Sequence, residues 1–176
     1  MFQPRAKETE TAEPLRVTFN SPQSGWMSLE LRAGGKQFVE VVSYTPYDSV
    51  EELVNAVATI AVADTEEIVV MWAVHPDAFD FIFSAKGDEA DLRVVWRMEH
   101  RRMKGEGEEM FAYRGERLEV CRAFWRALRR LQADADVDGY AQNWRREFPE
   151  HDMKELTKAV KALEKAKEKG GTPTPQ

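Results

Sequence analysis

Residues 67–100, EIVVMWAVHPDAFDFIFSAKGDEADLRVVWRMEH, decide the fold, because they predict three consecutive strands joined by two turns. Ile68 to Val74 is a short, almost wholly apolar run rich in branched side chains, which is typical of a strand buried on both faces. Pro76 ends this strand, since proline has no backbone N–H to donate to a ladder.

The two strands that follow in this stretch alternate apolar and polar residues. Phe79, Phe81 and Phe83 recur at a spacing of two and therefore share one face of the first strand. Gly87 lies in the short polar turn that follows, where glycine can adopt a positive φ. Two alternating strands around such a turn predict a β-hairpin. The second strand has its apolar positions at Leu92, Val94, Trp96 and Met98.

Charged side chains occupy the other face of this hairpin, among them Asp80, Arg93 and Arg97. A face at least partly in contact with water favours an antiparallel sheet, because parallel sheets have both faces covered by helices. The dipeptide Gly34-Gly35 is a second hairpin signal. Further strand patterns lie at residues 15–19, 26–33, 37–44 and 109–114.

Two segments carry apolar residues at helical spacing and predict helices that pack on the sheet. In residues 48–62 the helix begins with a capping-box pattern, and either Asp48 or Ser49 can act as the cap. Residues 116–133 form the second helix, and Asp152 caps a third near the end of the chain. We expect one buried cluster to include Leu53, Val57, Phe81, Trp96, Trp125 and Leu128.

These patterns predict an α+β fold, with a mainly antiparallel sheet of about six or seven strands packed against two or three helices. Residues 1–14 are polar and predict a flexible N-terminal arm. Residues 15–168 form the single domain expected for a chain of 176 residues, and residues 169–176 predict a disordered tail.

Composition restricts the classes of function. The single cysteine, Cys121, excludes an intramolecular disulfide and fits a reducing, cytoplasmic location. The first residues lack the apolar core of a signal peptide, and no apolar run approaches the roughly 20 residues that span a bilayer. The net charge of −6 argues against general binding to nucleic acid. We therefore expect a cytoplasmic protein with no membrane partner.

One short acidic pattern, Asp134-x-Asp136-x-Asp138-Gly139, resembles the opening of an EF-hand calcium loop. The twelfth position of that loop requires a bidentate carboxylate, but here it is Arg145, whose positive charge opposes a metal ion. We interpret the pattern as an acidic turn that ends a helix. The chain has no glycine motif for phosphates or dinucleotides, so we predict neither a metal nor a cofactor.

A possible acid–base site lies at His75-Pro76-Asp77, where a strand end could place an imidazole beside a carboxylate. Asp80 would complete such a set. The competing interpretation is a turn with ordinary solvation. Cys121 falls on the apolar stripe of its helix, which is typical of a buried structural thiol and not of a nucleophile. We predict no catalytic residue, and an enzyme that uses His75 and Asp77 remains an alternative.

Two charged groups are candidates for binding a partner. Arginines at helical spacing share one face of the second helix and could grip phosphates or carboxylates, although a solvated face is the simpler interpretation. Acidic residues near the ends of the central strands could form a rim that speeds association with a basic protein, although they could also serve only turn formation and solubility. The arginines are Arg122, Arg126, Arg129 and Arg130, and the acidic residues are Glu66, Glu67, Asp77 and Asp80. Asp88 and Glu89 lie at the opposite turn and are expected outside this rim.

The order of predicted elements ends in a Trp- and Arg-rich helix and the segment Tyr140-x-x-x-Trp144. Over residues 26–148 this order resembles small bacterial α+β proteins of the immunity-protein type, which belong to polymorphic toxin systems. The resemblance rests on pattern and transfers no functional residue. It implies a cytoplasmic, non-catalytic protein that binds one protein partner. The alternatives are an enzyme at His75 and Asp77, or a phosphate or nucleic-acid binder at the arginine face.

Overall fold

The computed structural model describes residues 13–99, 106–135 and 139–170, and these form a seven-stranded antiparallel sheet with its strands in chain order. The predicted α+β fold with a mainly antiparallel sheet is confirmed. The strands are β1 (Arg16–Phe19), β2 (Trp26–Ala33), β3 (Lys36–Ser43), β4 (Thr65–Ala73), β5 (Ala78–Lys86), β6 (Glu89–Arg97) and β7 (Glu108–Glu116). The helices are α1 (Ser49–Val62), α2 (Arg117–Ala135), α3 (Tyr140–Trp144) and α4 (Glu150–Gly170).

Both predicted hairpins form at the glycines that the sequence indicates. Gly34, between β2 and β3, has φ of 59°, and Gly87, between β5 and β6, has φ of 58°. These values lie in the left-handed region, which glycine enters without steric cost. The cap of α1 also follows the sequence, because the side chain of Asp48 accepts a hydrogen bond from the backbone N–H of Glu51. The predicted cap of the last helix is wrong, since α4 begins at Glu150 and Asp152 lies inside its first turn.

The core lies between one face of the sheet and the helices. Phe79, Phe81 and Phe83 point together into it, with exposed fractions of 5%, 0% and 0%. The prediction of one buried cluster is wrong for its two tryptophans. Trp96 and Trp125 are only partly buried, whereas the other expected members are buried completely.

The pairing of the sheet is least extensive where β3 meets β4. These strands pair at a single position, Ser43 with Ala73, whereas the other neighbouring strands pair along most of their length. Across this junction, side chains of the two parts of the sheet still meet in one core. The ring of Phe38 on β3 accordingly contacts Phe79 and Phe81 on β5, with centroid distances of 4.9 and 6.0 Å.

The C-terminal helix is longer than the predicted domain. Helix α4 continues to Gly170, two residues past the expected boundary at residue 168. Most of the predicted arm, residues 1–12, and the end of the predicted tail, residues 171–176, lie outside the described residues.

Candidate functional site

A cavity of about 560 Å³ opens at the sheet junction, beside the turn between β4 and β5. His75, Pro76 and Asp77 of this turn line it on one side. Residues 45–47, which follow β3, line it on another side. Arg97 at the end of β6 and Glu99, two residues beyond it, also contribute to the lining. We call this space the junction cavity.

His75 is held in place at the edge of the junction cavity. Its backbone φ is 40°, a left-handed value that non-glycine residues rarely adopt. Its Nε2 lies 3.1 Å from the hydroxyl oxygen of Ser43, which is buried with 3% exposure. The edge of its ring also meets Trp26, with the ring centroids 5.9 Å apart. The imidazole is therefore oriented by two residues that lie far from it in the chain.

Asp77 does not form the hydrogen bond with the imidazole that the alternative acid–base site would use. Its Oδ1 accepts a hydrogen bond from the backbone N–H of Glu99 at 3.1 Å, and its own carbonyl accepts one from Val74. Asp80 lies outside the cavity lining, and its Oδ2 accepts a hydrogen bond from Nε of Arg97 at 2.9 Å. The three residues of the hypothetical acid–base set thus have three different partners, and only His75 and Asp77 share the cavity.

The predicted acidic rim is wrong in its grouping. Thr65 pairs with Ala85 at one end of β4 and β5, and Ala73 pairs with Ala78 at the other. At about 3.3 Å per residue, Glu67 at one end and Asp77 at the other are separated by roughly 20 Å or more.

Glu66 instead lies near the β5–β6 turn, which we expected to lie outside the acidic rim. It lines a second cavity, of about 680 Å³, together with Glu89 and Asp91. The strand order decides this grouping, because the β5–β6 turn lies at the same end of the sheet as the start of β4. Asp80 cannot serve as a rim residue either, since only 7% of its side chain is exposed.

The arginine face of α2 is smaller than predicted. Arg122 donates from Nε and Nη2 to Oε1 of Glu164, at 3.0 and 2.9 Å, and thereby joins α2 to α4. Arg126, Arg129 and Arg130 remain exposed. A phosphate or nucleic-acid site on this face would have to use those three.

The thiol of Cys121 is buried, as the helical pattern predicted. Burial raises its pKa to about 12, so at neutral pH it is not a nucleophile. Within the part of the chain that the structure describes, no group of three or more His, Cys, Asp or Glu side chains could hold a metal ion. Asp136 and Asp138 of the EF-hand-like pattern lie outside that part, so weak or absent calcium binding stays a prediction that calorimetric titration can check.

Sequence reasoning missed three apolar side chains on the sheet face that points away from the core. Trp26, Val39 and Val41 are 40%, 49% and 51% exposed. On β2 the inward positions Met27, Leu29 and Leu31 are buried, so Trp26 faces outward. We call Trp26, Val39 and Val41 the outer strip. A signal was present in the run FVEVV at residues 38–42, which places apolar residues on both faces of β3.

The outer strip is compact. Trp26 pairs with Ser43, and Ser28 pairs with Val41, so Trp26 and Val41 are diagonal neighbours on one face. Val39 lies two residues before Val41 on the same strand, opposite Glu30. The contact between Trp26 and His75 connects the strip to the junction cavity.

Comparison of the chain with protein-family models, with curated proteins and with solved structures returned no match. Among the helices in the described residues, none combines the length and the apolar character needed to cross a membrane.

Proposed function

We propose that this chain is a non-catalytic protein-binding domain whose partner covers the outer strip. The observation that carries the proposal is the exposure of Trp26, Val39 and Val41 side by side on paired strands. Large apolar side chains grouped on a surface and rimmed by polar residues mark interaction sites. Tryptophan is also enriched among the residues that dominate binding energy.

The rigid placement of the outer strip favours a role in binding over exposure without a function. The strip lies on a regular hairpin in which every residue of β2 pairs with β3, so a partner would not have to order a flexible loop. The other large exposed apolar residues, Val62, Val69 and Met110, belong to α1, β4 and β7 and are not part of the strip.

In its specific form the proposal is that the protein neutralises a toxin by binding it. The order of elements, which resembles that of immunity proteins, supports this role. The net charge of −6 also suits a basic partner, because opposite charges speed association. The direct test is to co-express the chain with the product of the gene next to its own. Rescue of growth from a toxic product supports the role, and persistent toxicity contradicts it.

The binding surface has its own test, once that partner is in hand. Calorimetry would compare the native chain with Val41→Lys and with the matched control Val62→Lys, which alters a more exposed valine on α1. We expect Val41→Lys to weaken the affinity at least about tenfold, or roughly 1.4 kcal/mol, because it places a charge at the centre of an apolar contact. Equal affinities for the two variants would show that the partner binds elsewhere.

Acid–base catalysis by His75 is the second candidate. It is favoured by one observation, that His75 and Asp77 line the same cavity. If His75 is the general acid or base, His75→Gln should abolish any turnover found. Turnover unaffected by His75→Gln would exclude this site.

A further inference from the structure

We propose that the junction cavity binds an organic cation, an alkylammonium or guanidinium group. In the complex proposed above, this group is a lysine or arginine side chain of the protein partner. The identification of the cation as a side chain of the partner rests on the proposed function. The binding of an organic cation by the cavity does not depend on it.

The charge of the cavity lining points to a cation. Arg97 is the lining guanidinium, and it is paired with Asp80, whose carboxylate is buried outside the cavity. Asp77 and Glu99 also line the cavity, and among the described residues neither carboxylate forms a salt bridge. With Arg97 neutralised, these two carboxylates leave the described lining with a negative charge that an organic cation would complement.

The remaining walls suit the apolar part of such a ligand. Tyr47, Pro46 and Pro76 contribute the aromatic and apolar part of the lining, and aromatic rings can attract cations. The methylene groups of lysine and arginine pack on surfaces of this kind while the charged end reaches a polar partner. The volume of about 560 Å³ is in the range of small-ligand sites and holds one such side chain.

The polar groups of the cavity are held before any ligand arrives. The Glu99 amide holds Asp77, and Ser43 and Trp26 hold the His75 ring. His75 also keeps a left-handed backbone, and such residues cluster at ligand-binding sites. Because His75 contacts Trp26, a partner segment on the outer strip would end beside the cavity, where a basic residue of that segment could enter.

The test uses nuclear magnetic resonance on the ¹⁵N-labelled full chain. The probes are Nα-acetyl-arginine amide and Nα-acetyl-lysine amide, with the neutral isostere Nα-acetyl-citrulline amide as control. We expect saturable shifts of the backbone amides of Ala78, Glu99 and their neighbours with a cationic probe, and none with citrulline. Glu99→Gln should weaken binding about threefold or more, since an exposed ion pair contributes modestly. The matched variant Glu119→Gln, an exposed residue on α2, should bind as the native chain does.

Three results would overturn the inference. These are no saturable shift with either cationic probe, equal shifts with citrulline, and unchanged affinity in Glu99→Gln. The variant Val41→Lys separates this inference from the proposed function. If it loses the protein partner and keeps the probe, both proposals stand. If the probe binds, and the partner binds Val41→Lys as tightly as the native chain, only the assignment of the outer strip as the partner's binding surface is wrong.

Discussion

The carboxylate of Asp80 accepts a hydrogen bond from Nε of Arg97 at 2.9 Å on the sheet face that points away from the core. The two residues are diagonal neighbours on adjacent strands, since Asp80 pairs with Val95 and Ala78 pairs with Arg97. Their side chains are only 7% and 17% exposed. Asp80 therefore acts within the domain and not as a recognition residue.

Removal of this buried charge should be costly. We expect Asp80→Asn to lower the free energy of unfolding by about 3 kcal/mol, because it removes a carboxylate that pairs with Arg97 in a poorly solvated position. Urea denaturation measures the change. The control is Glu109→Gln, which breaks the pair of Glu109 with Arg93, both about half exposed, and should cost less than about 1 kcal/mol. Equal costs for the two variants would show that burial does not distinguish the pairs.

The aromatic anchor of α2 is Phe124, although the helical pattern favoured Trp125. Phe124 is fully buried, and its ring centroid lies 5.2 Å from that of Phe83. Trp125 is half-buried, and its Nε1 donates to Thr157 of α4 at 3.0 Å.

We expect Phe124→Ala to cost about 3–5 kcal/mol of stability, as truncation of a buried aromatic side chain does. Trp125→Ala should cost clearly less, because part of its ring is already in water. Urea midpoints with constant m-values would compare the two variants. A larger loss of stability for Trp125→Ala than for Phe124→Ala would mean that α2 presents its other side to the sheet.

The thiol of Cys121 should be inert in the folded protein. Burial raises its pKa to about 12, and the thiol is enclosed beside Val57 of α1. We expect negligible labelling by iodoacetamide at pH 8 in buffer and complete labelling in denaturant, with mass spectrometry as the readout. Rapid labelling without denaturant would place the thiol at the surface.

Asp64 gives the domain a stability contribution that depends on pH. The hydrogen bond from Arg117 lowers the pKa of Asp64 below its usual value. A carboxyl group with a lowered folded-state pKa binds fewer protons in the folded than in the unfolded chain, so its contribution is present above the unfolded pKa of about 3.9 and is lost at lower pH.

We therefore expect Asp64→Asn to reduce the melting temperature at pH 7 and to have a shrinking effect as the pH falls below about 4. Scanning calorimetry from pH 7 to pH 3 measures the difference. Glu119→Gln is the control, since Glu119 is exposed on the same helix as Arg117. A difference between Asp64→Asn and the native chain that does not vary with pH would contradict this origin.

The strands were predictable because their signals are local. Alternation with a period of two placed Phe79, Phe81 and Phe83 on one face, and glycine at positions 34 and 87 allowed the two hairpin turns. The site was less predictable. His75 was identified as a candidate from its position at a strand end, but its partner Ser43 lies 32 residues earlier in the chain.

Local patterns were enough to predict most strands, turns and helices, because spacing and turn chemistry act between residues close in the chain. Which charges meet and which apolar side chains stay exposed depends on contacts between residues far apart in the chain. Glu66 joins Glu89 because β4 begins at the end of the sheet where β5 turns into β6. Val39 and Val41 stay in water because the helices cover the opposite face, and a strand with apolar residues on both faces does not specify which face is covered.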